Sequence, residues 1–147
     1  MSADISNIAL NKVREFNDNV VKVDMMEKLP FESAEFDLVF ANLSIHYFSD
    51  ENTKKLMLEI KRILKDKGIF VGSVNGLQTL EKIKDTACEL EHHFYLDGYL
   101  GTNKYIRLFD KNDLKKYLDI FYILQIDERE TTRFGHRKDY LVFFAQK

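Results

Sequence analysis

LPFESAEFDLVFANLSIHYF, residues 29–48, joins a polar turn to an apolar run and then to a loop carrying Asn42 and His46. The run FDLVFANL holds no charge after Asp37 and is apolar at successive positions. That pattern suits a strand covered on both faces in a parallel sheet. Polar groups released at its C-terminal end stand where open α/β sheets hold ligands. The stretch therefore predicts a layered α/β fold and a site in one reading.

Upstream, NVVKVDM is a short β-branched strand leading to Asp24, and Pro30, the only proline, marks the turn that follows. NIALNKVREF sets Ile8, Ala9, Val13 and Phe16 near helical spacing, with Ser6 or Asp4 as a cap. Downstream, residues 50–65 carry the stripe Leu56, Met57, Ile60, Ile63 and Leu64, capped by Ser49 or Asp50 and closed by Lys65, Lys67 and Gly68. IFVGSV follows as a strand. A second helix is predicted over 78–90, with Leu80, Ile83, Ala87 and Leu90 inward, then a polar-aromatic loop over 91–109. DKNDLKKYL begins a short helix capped by Asp110. IFYILQID and DYLVFFA are two closing strands joined through a charged loop, an antiparallel edge on a parallel sheet. The expected fold is α/β, three-layered and mostly parallel with an antiparallel C-terminal pair, in one domain over 1–147.

The chain has 147 residues, of which 45% are hydrophobic and 31% charged, an ordinary balance for a packed core. A net charge of −2 gives no general attraction to nucleic acid or anionic membrane, so neither is expected as a partner. Cys88 is the one cysteine and has no internal disulfide partner, which fits a reducing compartment. The opening MSADISNIAL has no basic start or apolar run of a signal peptide, and a cytoplasmic location is expected.

Four segments in order, ADIS, VDMMEKLPF, FDLVFANLSIHYF and IKRILKDKGIFVGSV, resemble the later motifs of class I S-adenosylmethionine-dependent methyltransferases. The resemblance is to the group whose third motif runs Asp, a few residues, then Leu-Pro-Phe. It implies a Rossmann-like sheet and S-adenosylmethionine as cofactor. By this resemblance Asp4 accepts from the ribose hydroxyls, a task suited to a carboxylate with two acceptor oxygens. Ile5 lies against the adenine, and Asp24 with the backbone of Met25 reads the adenine edge. Asn42 and Leu43 stand near the methionine part. His46 and Tyr47 follow on the acceptor side, with His46 as the candidate base for a small-molecule acceptor. Asp4 and Asp24 also have a plainer reading as caps of the segments that follow them.

The departure from the family is at the start. The family's first strand ends in a glycine-rich loop that lets backbone approach the cofactor. No Gly-x-Gly occurs here, and the chain is expected to begin at the end of the second strand, lacking the first strand, first helix and nearly all of the second strand. The third strand should then pair directly with the fourth, or a second copy or complementing chain should supply the missing strands. Losing two or three hydrogen bonds of ~1–2 kcal/mol each lowers cofactor affinity roughly 10²–10⁴-fold, so weak or absent binding is expected in the isolated chain. The alternative to an active enzyme is an inactive methyltransferase remnant serving as a binding or regulatory subunit.

The remaining signals read plainly. His92 and His93 are adjacent at an expected helix end and do not share a face, so no metal is expected and C-capping is their role. Cys88 is read as packing. Arg129, Arg133, Arg137 and Lys138 with Phe134 form a basic loop, which Asp127, Glu128 and Glu130 dilute to an ordinary solvated one.

Overall fold

The computed structural model describes residues 1–98, 101, 103–133 and 136–147, with backbone alone for Arg133, His136 and Arg137. Phe134 of the basic loop lies outside the described residues, as do the side chains of Arg133 and Arg137. The chain forms two compact units, Met1–Glu32 and Ser33–Lys147.

The first unit is a small βαβ unit: β1 (Ser2–Asp4), α1 (Asn7–Arg14) and β2 (Val20–Lys22), with β1 and β2 parallel. Ser6 caps α1, its side chain accepting from the Ala9 amide at 3.3 Å. Of the apolar residues near helical spacing, Ile8 and Phe16 are exposed, and the buried residue of the helix is Leu10. A helix of 8 residues has barely two turns, and Phe16 falls beyond its end.

The second unit is built on a mixed sheet of order β3-β4-β9-β8. Strand β3 (Phe36–Asn42) runs parallel to β4 (Leu64–Asn75). Strand β9 (His136–Gln146) is antiparallel to both of its neighbours, β4 and β8 (Tyr122–Arg133). Between β3 and β4 lies α2 (Asp50–Ile63), capped by Ser49 and burying Leu56, Met57, Ile60 and Ile63. This helix gives way directly to β4, so Lys65, Lys67 and Gly68 belong to a strand rather than to a helix cap. Phe70 of β4 meets Phe143 of β9 edge-on at 4.9 Å, both fully buried. Gly72 makes that approach workable: a Cβ there would lie 2.4 Å from Phe143 Cζ and 2.9 Å from the Ala41 carbonyl.

Several expectations change. The strand corresponding to the family's third, β2, does not pair with the one corresponding to its fourth, β3: β2 pairs with β1, and among the described residues β3 pairs with β4 alone. Residues 78–90 are not one helix. A single tight turn (Leu77–Thr79) leads into α3 (Leu80–Ile83), and the chain then opens into β5 (Ala87–Glu91). Cross-chain bonds fix that opening, Thr86 Oγ1 donating to Asp97 at 2.6 Å and the Gly98 amide to the Thr86 carbonyl at 3.0 Å. In the expected loop, β6 (Phe94–Asp97) and β7 (Lys104–Arg107) complete a three-stranded antiparallel sheet with β5. Cys88 and Leu90 are consequently exposed rather than packed. The described residues of the charged segment between the closing strands are themselves strand, with pairs running from Tyr122↔Gln146 through Arg133↔His136.

The short helix α4 (Lys111–Tyr117) stands as expected, with Asp110 accepting from the Asp113 amide at 2.7 Å.

Candidate functional site

In the first unit, the parallel pair brings Asp4 and Asp24 to the same end. Asp4 is opposite Lys22, and the Val23 amide donates to the Asp4 carbonyl at 3.0 Å, one residue before Asp24. Both carboxylates are exposed and each organises the turn after its strand. Asp4 Oδ1 accepts from the Ser6 amide at 2.7 Å, and Asp24 Oδ1 from the Met26 amide at 2.9 Å. Neither acid caps a helix, since Ser6 caps α1 and the residues after Asp24 form a turn. Ile5 is 59% exposed beside Asp4, and Met25 is half-buried. Two acceptors and an exposed apolar side chain on one strand-end rim suit a nucleoside, whose hydroxyls and exocyclic amine donate and whose base stacks.

In the second unit, Asn42 ends β3. Ser73 Oγ donates to Asn42 Oδ1 at 2.6 Å, and the Leu43 amide donates to the Ser73 carbonyl at 3.0 Å and to Ser73 Oγ at 3.2 Å. Leu43 itself has φ of 49°, a left-handed conformation that costs an ordinary side chain about 1–2 kcal/mol. Three hydrogen bonds to or from one serine overdetermine this strand end, the condition under which such strain persists.

His46 follows at 2% exposure, its ring against that of Tyr47 at 4.2 Å and its carbonyl accepting from the Arg107 amide at 2.7 Å. Burial, reinforced by the Lys138 charge, pushes its pKa down to about 4. Its Nδ1 is buried without a hydrogen-bond partner among the described residues. The imidazole is therefore neutral near physiological pH and holds a proton weakly.

A cleft of about 460 Å³ in the second unit was not foreseen. Arg107, 4% exposed, organises one wall: it donates to the Phe48 carbonyl at 3.1 Å, the His92 carbonyl at 3.0 Å and the Glu91 carboxylate. Its guanidinium also sits 4.8 Å from the centre of the Phe94 ring, a favourable cation–π distance. The Tyr117 hydroxyl donates to Asp50 at 2.9 Å on the opposite side. His92 and His93 are corrected from a helix end to the turn joining β5 and β6. Asp113 reaches them from the first turn of α4, with His93 Nδ1 at 2.7 Å from Oδ2 and His92 Nε2 at 3.6 Å from Oδ1. Burial works to raise the Asp113 pKa, but hydrogen bonds from His93 and Lys116 outweigh it and hold the carboxyl below its ordinary range. The histidine pair was visible in sequence. Its acidic neighbour, twenty residues on, becomes adjacent only through the three-stranded sheet.

Residues 1–72 match a family model described as a methyltransferase domain. The arginine hydroxylase NDUFAF5 of human mitochondria is 36% identical over 90 residues, covering 60% of this chain and 25% of that protein. The malonyl-[acyl-carrier protein] O-methyltransferase of Nitrosospira multiformis is 30% identical over 89 residues, covering 60% and 26%. The chain thus spans about a quarter of the length of these curated relatives. Among solved structures, an S-adenosylmethionine-dependent methyltransferase of Methanosarcina mazei superposes with a TM-score of 0.81 at 17% identity, over 99% of this chain and 80% of that one. The 1,6-didemethyltoxoflavin-N1-methyltransferase of Burkholderia thailandensis gives 0.69 at 18%, over 99% and 59%. Over residues 1–72 the chain matches a methyltransferase domain, and its fold is that of solved S-adenosylmethionine-dependent methyltransferases.

Proposed function

We propose that this chain binds S-adenosylmethionine and takes part in methyl transfer to a small-molecule acceptor. The observation that carries the reading is the pair of exposed acids, Asp4 and Asp24, at one end of the parallel strands β1 and β2. Asp4 takes the ribose hydroxyls, Ile5 lies on the adenine, and Asp24 with the Met25 backbone reads its edge. The sulfonium donor brings an already activated methyl group, so the residues of this chain orient and exclude water rather than activate. His46 enters as a neutral hydrogen-bonding group on the acceptor side. A side chain whose pKa is held at about 4 is poorly matched to proton removal near neutrality.

A small acceptor is supported by the name of the Burkholderia neighbour, a methyltransferase of a small heterocycle. An arginine side chain is the second reading, favoured by the 36% identity to NDUFAF5. The mass gained by the acceptor separates methylation from hydroxylation. A second copy or a complementing chain forms part of the proposal, because Leu38 and Phe40 of β3 are 56% and 67% exposed.

The test is calorimetry with S-adenosylmethionine on the wild type, Asp4→Asn and Asp24→Asn, with molar mass recorded on the same samples. Weak binding is expected in the wild type. Each variant should lose roughly 10–100-fold, the worth of charge-assisted hydrogen bonds of about 1.5–3 kcal/mol. Equal affinity in all three proteins refutes the assignment. Binding without turnover of any acceptor would instead make the chain a binding or regulatory subunit.

A further inference from the structure

We propose that His92, His93 and Asp113 form a binding site for a divalent first-row transition cation of the zinc type. The three side chains belong to the second unit and are none of the residues assigned to the cofactor, so the inference does not rest on that assignment.

The donors are two imidazole nitrogens and one carboxylate oxygen, a set suited to zinc and its neighbours rather than to magnesium or calcium. One ligand atom from each lies within 4.8 Å of the others. A tetrahedral zinc with bonds near 2.1 Å needs its ligand atoms about 3.4 Å apart, so closure asks for side-chain shifts of about 1 Å. The two rings already stack with centroids 3.8 Å apart.

The turn that carries them is pinned from several sides. Arg107 Nη1 donates to the His92 carbonyl at 3.0 Å and the Leu108 amide to the His93 carbonyl at 2.8 Å. The His93 amide donates to Glu89 Oε1 at 2.9 Å. His93 takes φ of 56°, the left-handed turn conformation that brings successive side chains to one side. Asp113 is held by the Asp110 cap and its side chain is only 9% exposed. A buried acid beside two histidines on a turn whose backbone is hydrogen-bonded in place is a partly preorganised ligand set, and preorganisation reduces the entropy lost on binding.

Lys116 now lies on Asp113 Oδ1 at 3.0 Å, with 68% of its own side chain in solvent. It acts as the resident counter-charge that a metal cation displaces. All three ligands line the cleft, so coordination positions not filled by protein open to solvent, as in metal sites that hold water or an acceptor oxygen.

The experiment uses tag-free full chain, stripped with chelator and desalted. Zinc and cobalt chloride are titrated by calorimetry, and the visible spectrum of the cobalt form reports its ligand geometry. One-to-one binding with a Kd of about 10 µM or tighter is expected, together with an intense tetrahedral-type cobalt spectrum and no response to magnesium. His92→Ala, on a side chain 69% exposed, leaves the fold intact and should weaken zinc at least 30-fold, about 2 kcal/mol. Lys116→Ala, which removes the competitor and no ligand, should tighten it several-fold. No zinc binding by the wild type overturns the proposal. So does zinc affinity that is unchanged in His92→Ala, which would place the ion elsewhere on the surface.

Discussion

Replacing His46 with glutamine should remove one proton-linked component from the acid sensitivity of the fold. In the native chain the imidazole is 2% exposed, and burial with the Lys138 charge brings its pKa from 6.5 to about 4. In the unfolded chain it returns to about 6.5. Between those two values the unfolded state holds the proton and the native state does not, so stability falls as pH falls. Above the upper value both states are neutral and the full stabilisation is present. Below the lower value both are protonated and the loss is complete, at about 3 kcal/mol. From about pH 7.5 to about pH 4.5 the loss comes to roughly 2–3 kcal/mol. Carboxylates such as Asp113 add their own acid dependence, so the assay is a difference of differences. Urea unfolding is measured for wild type and His46→Gln at both pH values. The wild type should lose roughly 2–3 kcal/mol more than the variant. Curves that stay parallel within about 0.5 kcal/mol refute the reasoning, because the imidazole would then titrate alike in both states.

Two further substitutions probe the packing that supports the sites. Arg107→Met keeps much of the stem and removes the guanidinium that closes the Phe48 and His92 carbonyls. It should cost about 2–4 kcal/mol in urea unfolding, with Arg107→Lys recovering little because an ammonium cannot reproduce the fork. Gly72→Ala drives a methyl into Phe143 and the Ala41 carbonyl and should cost about 1–3 kcal/mol by the same assay; a variant as stable as wild type would mean β4 and β9 yield there.

The elements legible in the sequence are those whose signals are local. Helix α2 announces itself by an apolar stripe and a Ser49 cap, α4 by Asp110, and β3 by an uncharged run that ends at Asn42. Asp24 could be placed at a strand end because it terminates a β-branched stretch and precedes a turn, whereas Asp4 is placed at one by the family resemblance alone. What escaped was non-local. Ala87–Glu91 reads with helical periodicity, yet partners at Phe94–Asp97 hold it extended, and pairing overrides propensity in strands this short. The exposure of Cys88 and Leu90 follows from that single reversal. The same sheet carries the turn bearing His92 and His93 to Asp113, which spacing along the chain does not reveal. The buried state of His46 was equally hidden, since a histidine beside a strand end looks the same in sequence whether water reaches it or not.

Strand β3 has one further consequence, for the handling of the protein. Its outer backbone edge has no ladder among the described residues, and Leu38 and Phe40 stand in solvent along it. A bare apolar edge is a template for any extended segment that meets it. Encounters between two such edges rise with the square of concentration, so crowding the solution speeds clumping far faster than it raises signal. Dilute, cold-stored preparations should therefore outlast concentrated ones, and an unstructured tail fused for purification would compete for the same seam.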